Sequence, residues 1–166
     1  MRDYLVYITF RLIELPMRIL PLRFVLFLGR RLGDIMYSLD LRHRSIAYSN
    51  IKQALDGGMP CRERKKLTRK FYRCFGQNIV EVFLIPRINK QYFNKYIEIE
   101  GKEYIDQAFS KGNGVIFAGI HAGSWELSNV ICSSIGFPFN VLVRGQENRL
   151  LNSLLNQYRK QKGCKI

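Results

Sequence analysis

The sequence has few acidic residues, no paired cysteines and no long uncharged apolar run. Only 13 Asp and Glu accompany 27 Lys and Arg in 166 residues, which leaves a formal net charge of +14. The cysteines are widely scattered, at Cys61, Cys74, Cys132 and Cys164. They form no C-x-x-C pair and have no nearby histidine, so neither a metal site nor a disulfide framework is expected. This cysteine usage favours reduced thiols in a cytoplasmic environment.

Apolar residues, in contrast, make up 47% of the chain, and aromatic residues 13%. This mixture is typical of a folded domain and excludes a disordered tail or a collagen-like repeat. The large positive charge predicts an anionic partner, which could be nucleic acid, a phospholipid surface, a phosphorylated substrate or an acidic carrier protein. Charge alone does not choose among these classes.

Residues 1–35 are expected to form a membrane-associating amphipathic segment. Apolar residues dominate positions 4–28, but Arg11, Glu14 and Arg18 interrupt them, so no uncharged stretch reaches the length that spans a bilayer. These charges recur every three or four positions and therefore share one helical face. We expect an interfacial helix whose arginine heads reach lipid phosphates. The alternative is a helix packed on the protein's own core.

Residues 36–95 are expected to form a helical basic region. Apolar periodicity predicts one helix over residues 42–55 and a longer one over about 60–85. The exposed face of the longer helix carries the densest positive patch in the chain: Arg62, Arg64, Lys65, Lys66, Arg69, Lys70 and Arg73. Since Glu63 is the only acid among them, a docking surface is as well supported as a solvated face. No nucleic-acid partner is expected, because no nucleic-acid-binding motif is present.

Residues 96–166 alternate between strand and helix patterns. The predicted strands are 96–100, 115–118 and 139–143, and the predicted helices are 102–110, 124–134 and 150–162. The predicted fold class is therefore α/β, with N-terminal amphipathic and basic helices followed by an incomplete, mostly parallel sheet in which strands and helices alternate. Ligands of such sheets bind at the carboxyl ends of the strands.

A glycine-flanked histidine and a glutamate follow the strand predicted at 115–118. His121 and Glu126 would diverge by about 140° on a regular helix, so they meet only if His121 lies on the turn before it. A first-turn carboxylate at Glu126 can hold one imidazole nitrogen so that the other acts as a general base. A hydrogen-bonded loop histidine and a simple first-turn acid remain open alternatives. The other histidine, His43, lies in a basic run and is interpreted as a surface residue.

This motif, within residues 114–127, resembles the bacterial lipid A biosynthesis acyltransferase family, the late lauroyl/myristoyl transferases. The resemblance continues along the chain. Residues 44–51 look like the family's Arg/Asn helix, residues 143–148 look like its strand ending in Arg and the Asn-containing loop, and residues 158–163 look like its Arg-x-x-x-Gly helix end. Family members are roughly twice this long, so residues 96–166 look like the first half of the acyltransferase domain, with the C-terminal half missing.

The resemblance implies an acyltransferase at the cytoplasmic face of the bacterial inner membrane, held peripherally or by its N-terminus. His121, oriented by Glu126, would deprotonate a hydroxyl of a phosphorylated lipid acceptor, which attacks an acyl carrier protein thioester. Arg144, Asn148 and Arg159 are implied as substrate-binding residues, and no metal or cofactor is implied. The competing interpretation is a non-catalytic peripheral membrane or acyl-carrier-binding module, a truncated and inactive fragment.

Overall fold

The computed structural model describes residues 1–55, 58–120, 122–134, 136 and 139–166. Eight α-helices and two short strands lie within these ranges. The helices are α1 (Arg2–Ile19), α2 (Leu22–Leu39), α3 (Leu41–Ala54), α4 (Cys61–Val82), α5 (Lys90–Tyr96), α6 (Lys102–Ser110), α7 (Trp125–Ser134) and α8 (Arg149–Gln161). The strands are β1 (Phe139–Asn140) and β2 (Cys164–Lys165). The α/β class predicted from the sequence is confirmed, and the observed fold is mostly helical.

Prolines and polar caps set several helix boundaries. Leu20, which precedes Pro21, is extended with ψ of 146°, and α1 ends there. This follows from the clash between a proline ring and a helical conformation of the residue before it. Asp40 caps α3 by accepting a hydrogen bond from the backbone N–H of His43 at 3.1 Å. Pro60 directly precedes α4, where its missing N–H removes no helix bond.

The main helix contact is between α2 and α4, and glycines make it close. A Cβ added at Gly76 would lie 2.6 Å from the backbone nitrogen of Gly33, and one added at Gly29 would lie 2.7 Å from Cγ2 of Val80. Only glycine therefore fits at these positions without moving the helices. Next to this contact lies the buried apolar core, formed by Val25, Val80, Phe83 and Leu84.

The sheet is a small parallel pair. Phe139 lies opposite Cys164 and Asn140 opposite Lys165, and α8 connects the two strands as in a β-α-β unit. The strand expected at 139–143 is confirmed in its first two residues. The strands expected at 96–100 and 115–118 are wrong: α5 ends at Tyr96, and residues 115–118 have no regular secondary structure. Apolar alternation indicates which side chains could be buried, but a strand also needs a neighbouring strand as its hydrogen-bond partner. Among the described residues, β1 and β2 are the only strands that pair.

Two compact units divide the chain. One comprises Met1–Pro86 and Gly123–Ile166, and the other comprises Arg87–Ala122. The second unit contains α5, α6 and an irregular segment, within which the rings of Phe109 and Phe117 lie 6.5 Å apart. The functional division into residues 1–35, 36–95 and 96–166 stays a prediction.

Candidate functional site

Glu126 lies in the first turn of α7 and forms an ion pair with Arg159 of α8. The carboxylate accepts hydrogen bonds from Nε of Arg159 at 3.0 Å and from Nη2 at 2.5 Å. The Arg159 side chain is 5% exposed and that of Glu126 is 18% exposed. A third guanidinium nitrogen, Nη1, donates to Oδ1 of Asn156 at 2.7 Å. The structure thus brings together two of the residues that the sequence singled out.

This two-point contact fixes the plane of the Glu126 carboxylate, because both oxygens are held by one rigid guanidinium. Each nitrogen of the Arg159 guanidinium thus donates to a protein acceptor. Arg159 therefore orients Glu126 in this structure. The substrate-binding role that the family resemblance implied for Arg159 stays a prediction. The sequence indicated both residues but not their pairing, which depends on how α7 packs against α8.

His121 lies outside the described residues, so the predicted pair with Glu126 stays a prediction. The turn that follows it is described. Gly123 has φ of +68°, a conformation that glycine adopts without strain, and Ser124 precedes the first residue of α7. The carbonyl of Gly123 accepts a hydrogen bond from Nδ2 of Asn78 at 2.7 Å.

Glu81 lies one helical turn after Asn78 on α4 and is partly buried. Partial burial raises the pKa of the Glu81 carboxyl above its usual range, and the neighbouring Ser124 hydroxyl opposes that shift. Sequence reasoning missed both α4 residues. The available signal was that polar side chains, Asn78 and Glu81 among them, interrupt the mainly apolar C-terminal part of α4.

In the described part of the chain, the other two predicted site residues, Asn148 and Arg144, form no hydrogen bond with the Glu126–Arg159 ion pair. Asn148 caps α8 by accepting from the backbone N–H of Leu151 at 3.0 Å, and its Nδ2 donates to the carbonyl of Asp3 at 3.0 Å. It therefore joins the start of α8 to α1. Arg144 lies in the irregular segment after β1 and is exposed.

A second buried carboxylate, Glu14 of α1, lies at the contact between α1 and α8. It is 1% exposed and accepts hydrogen bonds from Nη1 of Arg11 at 2.9 Å, from Nη2 of Arg18 at 2.5 Å and from the hydroxyl of Tyr158. Burial, reinforced by the contact with Glu14, raises the pKa of the Tyr158 hydroxyl. Since Tyr158 and Arg159 are neighbours on α8, this helix anchors two separate carboxylates, one on α1 and one on α7.

This cluster corrects the expected orientation of α1. Arg11 and Arg18 were expected to reach lipid phosphates, but both donate to Glu14, because a buried carboxylate without partners would be strongly unfavourable. The charged face of α1 therefore packs inward. The opposite face is exposed and apolar, and includes Leu5, Ile8, Leu12, Leu15 and Ile19. Within the described ranges, no helix combines the length and the apolar content needed to cross a membrane.

A cavity of about 510 Å³ lies among α2, α3 and α4. Its walls are mainly apolar and include Ile46, Phe71 and Phe75. At its edge, Nδ1 of His43 lies 2.8 Å from the Asp40 carboxylate. His43 is 69% exposed, which confirms its interpretation as a surface residue. The sequence analysis did not identify Asp40 as the partner of His43, because Asp40 lies before the first residue of α3.

The described residues contain no group of three His, Cys, Asp or Glu side chains that could hold a metal ion. All four cysteines are free thiols in the structure.

Comparison with known proteins identifies the family. Residues 2–166 match the family described as bacterial lipid A biosynthesis acyltransferase. The chain belongs to this family. It is also 26% identical over 132 residues to a lipid A biosynthesis palmitoleoyltransferase of Escherichia coli (strain K12) and to a lipid A biosynthesis acyltransferase of Shigella flexneri. Each match covers 80% of this chain and 42% of the relative, so the chain spans less than half the length of these curated relatives. No solved structure matches it significantly.

Proposed function

We propose that this lipid A acyltransferase family member carries the histidine-glutamate motif of an enzyme that moves a fatty acyl chain. The donor is an acyl carrier protein thioester, and the acceptor is a hydroxyl of a lipid A precursor or a related lipid. The observation that carries the proposal is the ion pair between Glu126 and Arg159, in a chain that matches the family over residues 2–166. A carboxylate held rigidly in the first turn of α7 is suited to orient an imidazole that precedes the helix.

In this mechanism, His121 accepts the proton of the acceptor hydroxyl on one ring nitrogen while Glu126 holds the other. The hydroxyl oxygen attacks the thioester carbon, a C–O bond forms, and the C–S bond breaks. The carrier sulfur leaves as a thiolate and takes the proton from His121, so the carrier ends as a thiol and the protein is unchanged. Arg159 keeps Glu126 in place. Exposed Arg144 and the α8 cap Asn148 are proposed to contact the phosphorylated acceptor.

The proposed partners follow from the surface. The exposed apolar face of α1 supports peripheral association with a membrane, and the net charge of +14 suits both an acidic carrier protein and a phosphorylated lipid. The positive patch of α4 contributes to this charge, and three of its lysines are exposed: Lys65, Lys66 and Lys70. We propose the cytoplasmic face of the bacterial inner membrane as the location, where both substrates would meet.

The second candidate function is a non-catalytic module that binds membranes or acyl carrier protein. The outward apolar face of α1 favours it, because that face can act without a completed active site. The two functions differ in one respect, since only the enzyme consumes the thioester.

The test is an acyl-transfer assay with an acyl carrier thioester and a lipid A precursor in anionic phospholipid vesicles. His121→Ala is expected to lower turnover by about 100-fold or more while vesicle binding is unchanged, because a general base contributes about 10²–10⁴-fold. His43→Ala is the matched control and should keep full activity. Salt-sensitive vesicle binding with no thioester consumption by the unmodified chain would support the non-catalytic module. Full turnover by His121→Ala would refute the base assignment.

A further inference from the structure

The cavity among α2, α3 and α4 has no role in the proposed acyl transfer. In the described part of the chain, its lining residues belong to these three helices and to Asp40, which caps α3. Glu126 and Arg159 instead lie on α7 and α8. The cavity and the Glu126–Arg159 ion pair are therefore separate features of the same compact unit.

One side of α3 and one side of α4 form the walls of this cavity. Ala47, Asn50 and Ile51 recur every three or four residues and so line one face of α3. Phe71 and Phe75, one turn apart on α4, have ring centroids separated by 6.2 Å. The volume of about 510 Å³ lies within the range of about 300–1,000 Å³ that is typical of small-molecule sites. The size of the cavity therefore favours a small molecule.

The walls offer little to a polar ligand. Asp40 and His43 at the edge are paired with each other, with 2.8 Å between the Asp40 carboxylate and Nδ1 of the imidazole. The other residues of the described lining are apolar except Asn50 and the hydroxyl of Tyr72. A polar group placed among such residues would lack hydrogen-bond partners, which is unfavourable. The walls therefore favour a hydrocarbon chain.

The helix that forms this wall is cationic. Its sequence contains Arg42, Arg44 and Lys52 and no Asp or Glu. Cζ of Arg44 lies 5.0 Å from the ring centroid of Tyr37, and the Tyr37 ring lies 5.7 Å from that of Tyr72 in the cavity wall. Positive charge thus lies beside the cavity, and it complements an anionic head group on the hydrocarbon chain.

We propose that this cavity binds one long-chain fatty carboxylate. The hydrocarbon chain fills the apolar space between α3 and α4, and the carboxylate stays at the surface on the cationic side, near Arg44. The site goes beyond the proposed acyl transfer and does not depend on it, because it uses neither residue of the Glu126–Arg159 ion pair. The competing occupant is a second copy of this chain, and the test separates the two.

Methionine methyl groups report where the chain binds. Met36 lines the cavity, whereas Met1 and Met17 belong to the start and the interior of α1. In ¹³C-methionine NMR spectra of the full chain, Met36→Leu assigns the cavity signal. Octanoate, decanoate, dodecanoate, tetradecanoate and hexadecanoate are then titrated below their micelle concentrations.

Two aromatic substitutions on α3 form a matched pair. Ala47→Phe places a ring in the cavity, and Ser49→Phe places the same ring on the exposed opposite side of the helix. Far-UV circular dichroism checks that both variants fold. Dodecanol, which has the same chain length as dodecanoate but no charge, tests the head group.

We expect a saturable shift of the Met36 signal, with Met1 and Met17 unchanged. Each added methylene should tighten binding about 3- to 4-fold until the cavity is full, after which the gain stops. Ala47→Phe should weaken dodecanoate binding about 10-fold or more, because its ring takes the space of several methylenes, and Ser49→Phe should not. Dodecanol should bind about 2- to 5-fold more weakly than dodecanoate, and Arg44→Gln should reduce that difference.

Movement of the Met1 and Met17 signals without the Met36 signal would place the chain on the apolar face of α1 and overturn the proposal. Unchanged affinity in a folded Ala47→Phe variant would also overturn it. Should that variant unfold, Phe71→Ala decides, because a larger cavity must move the end of the methylene gain to longer chains.

The second-copy alternative makes its own prediction. A Met36 signal that shifts with protein concentration in the absence of fatty carboxylate, together with a dimer mass in sedimentation that Ala47→Phe abolishes, would assign the cavity to a second copy and overturn the proposal. A monomer mass with the expected dodecanoate response would support it. Loss of thioester turnover bears only on the proposed function, since the binding measurements need no catalysis.

Discussion

The contact between α2 and α4 differs in kind from the contacts that α8 makes with α1 and α7. Gly29, Gly33 and Gly76 let the first two helices approach at backbone distance. The α8 contacts instead depend on charges, with Glu14 bound by two arginines and Tyr158, and Glu126 bound by Arg159. The contact between α2 and α4 depends on residues that have no side chain. The contacts of α8 depend on hydrogen-bond partners for each buried carboxylate.

The two contacts should therefore respond to different changes. A glycine contact is sensitive to added volume and insensitive to salt, because steric overlap does not depend on charge. A buried ionic contact is sensitive to the loss of either partner, since the remaining charge stays desolvated. Glu126, the carboxylate proposed to orient His121, lies in the second kind of contact, where hydrogen bonds control orientation.

The largest expected effect is at Gly76. Gly76→Ala should lower the free energy of unfolding by about 2–4 kcal/mol, because its Cβ would lie 2.6 Å from the nitrogen of Gly33 and force α2 and α4 apart. Intrinsic helix propensity alone predicts the opposite sign, a gain of about 1 kcal/mol. Urea denaturation measures the difference.

Gly145→Ala is the matched control, because the nearest atom to its added Cβ, Oδ1 of Asn152, lies 4.0 Å away. Its effect should stay within about 0.5 kcal/mol. Equal stabilities of the two variants would show that α2 and α4 can separate at no cost.

This contact also shows where sequence reasoning stops. The periodicity of apolar residues predicted α3, α4, α6, α7 and α8 to within a few residues, because that signal is local. A glycine within a helical pattern indicates only weak helix propensity. Nothing local shows that Gly76 meets Gly33 across 43 residues of chain.

The candidate site was predictable to a similar degree. Glu126 and Arg159 were singled out as functional from the sequence, but the buried ion pair between them required the packing of α7 on α8. Asn78 was missed, since its partner is the backbone carbonyl of Gly123, 45 residues away. The sequence pattern also could not show which face of α1 is buried, because the periodicity is the same whether the charged or the apolar face packs inward.

The next largest effect is expected at Glu14. Glu14→Ala should lower the free energy of unfolding by about 2–3 kcal/mol, because Arg11, Arg18 and Tyr158 lose a shared acceptor in a partly buried site. Exposed Glu103→Ala is the control, with an expected change within about 0.5 kcal/mol.

A double-mutant cycle with Tyr158→Phe tests whether the cluster acts as a unit. We expect a coupling free energy of about 1 kcal/mol or more between Glu14 and Tyr158, as is found for side chains in one hydrogen-bond network. Additive effects would mean that the hydroxyl and the carboxylate stabilise the fold independently, which would weaken the contrast with the glycine contact.

The smallest effect concerns Asp34, an ionic group at the edge of the glycine contact. Its carboxylate accepts from Nε of Arg73 at 2.9 Å and from Nε of Arg69 at 2.7 Å, and these contacts lower its pKa from 3.8 to about 2. A pKa lowered by folding stabilises the protein above the unfolded value, and this contribution is lost as the pH falls from about 4 to about 2. Both arginines are about half-exposed, so solvent screening keeps the contribution near 1 kcal/mol.

Asp34→Asn should therefore lower the free energy of unfolding by about 1 kcal/mol at pH 7 and by progressively less as the pH falls to 2, as measured by urea denaturation across this range. Added 1 M salt should shrink the difference at pH 7 as well. The Gly76→Ala effect, in contrast, should not change with salt. A difference at Asp34 that persists at pH 2 would mean that the side chain contributes by packing rather than charge, and the contact between α2 and α4 would then be steric throughout.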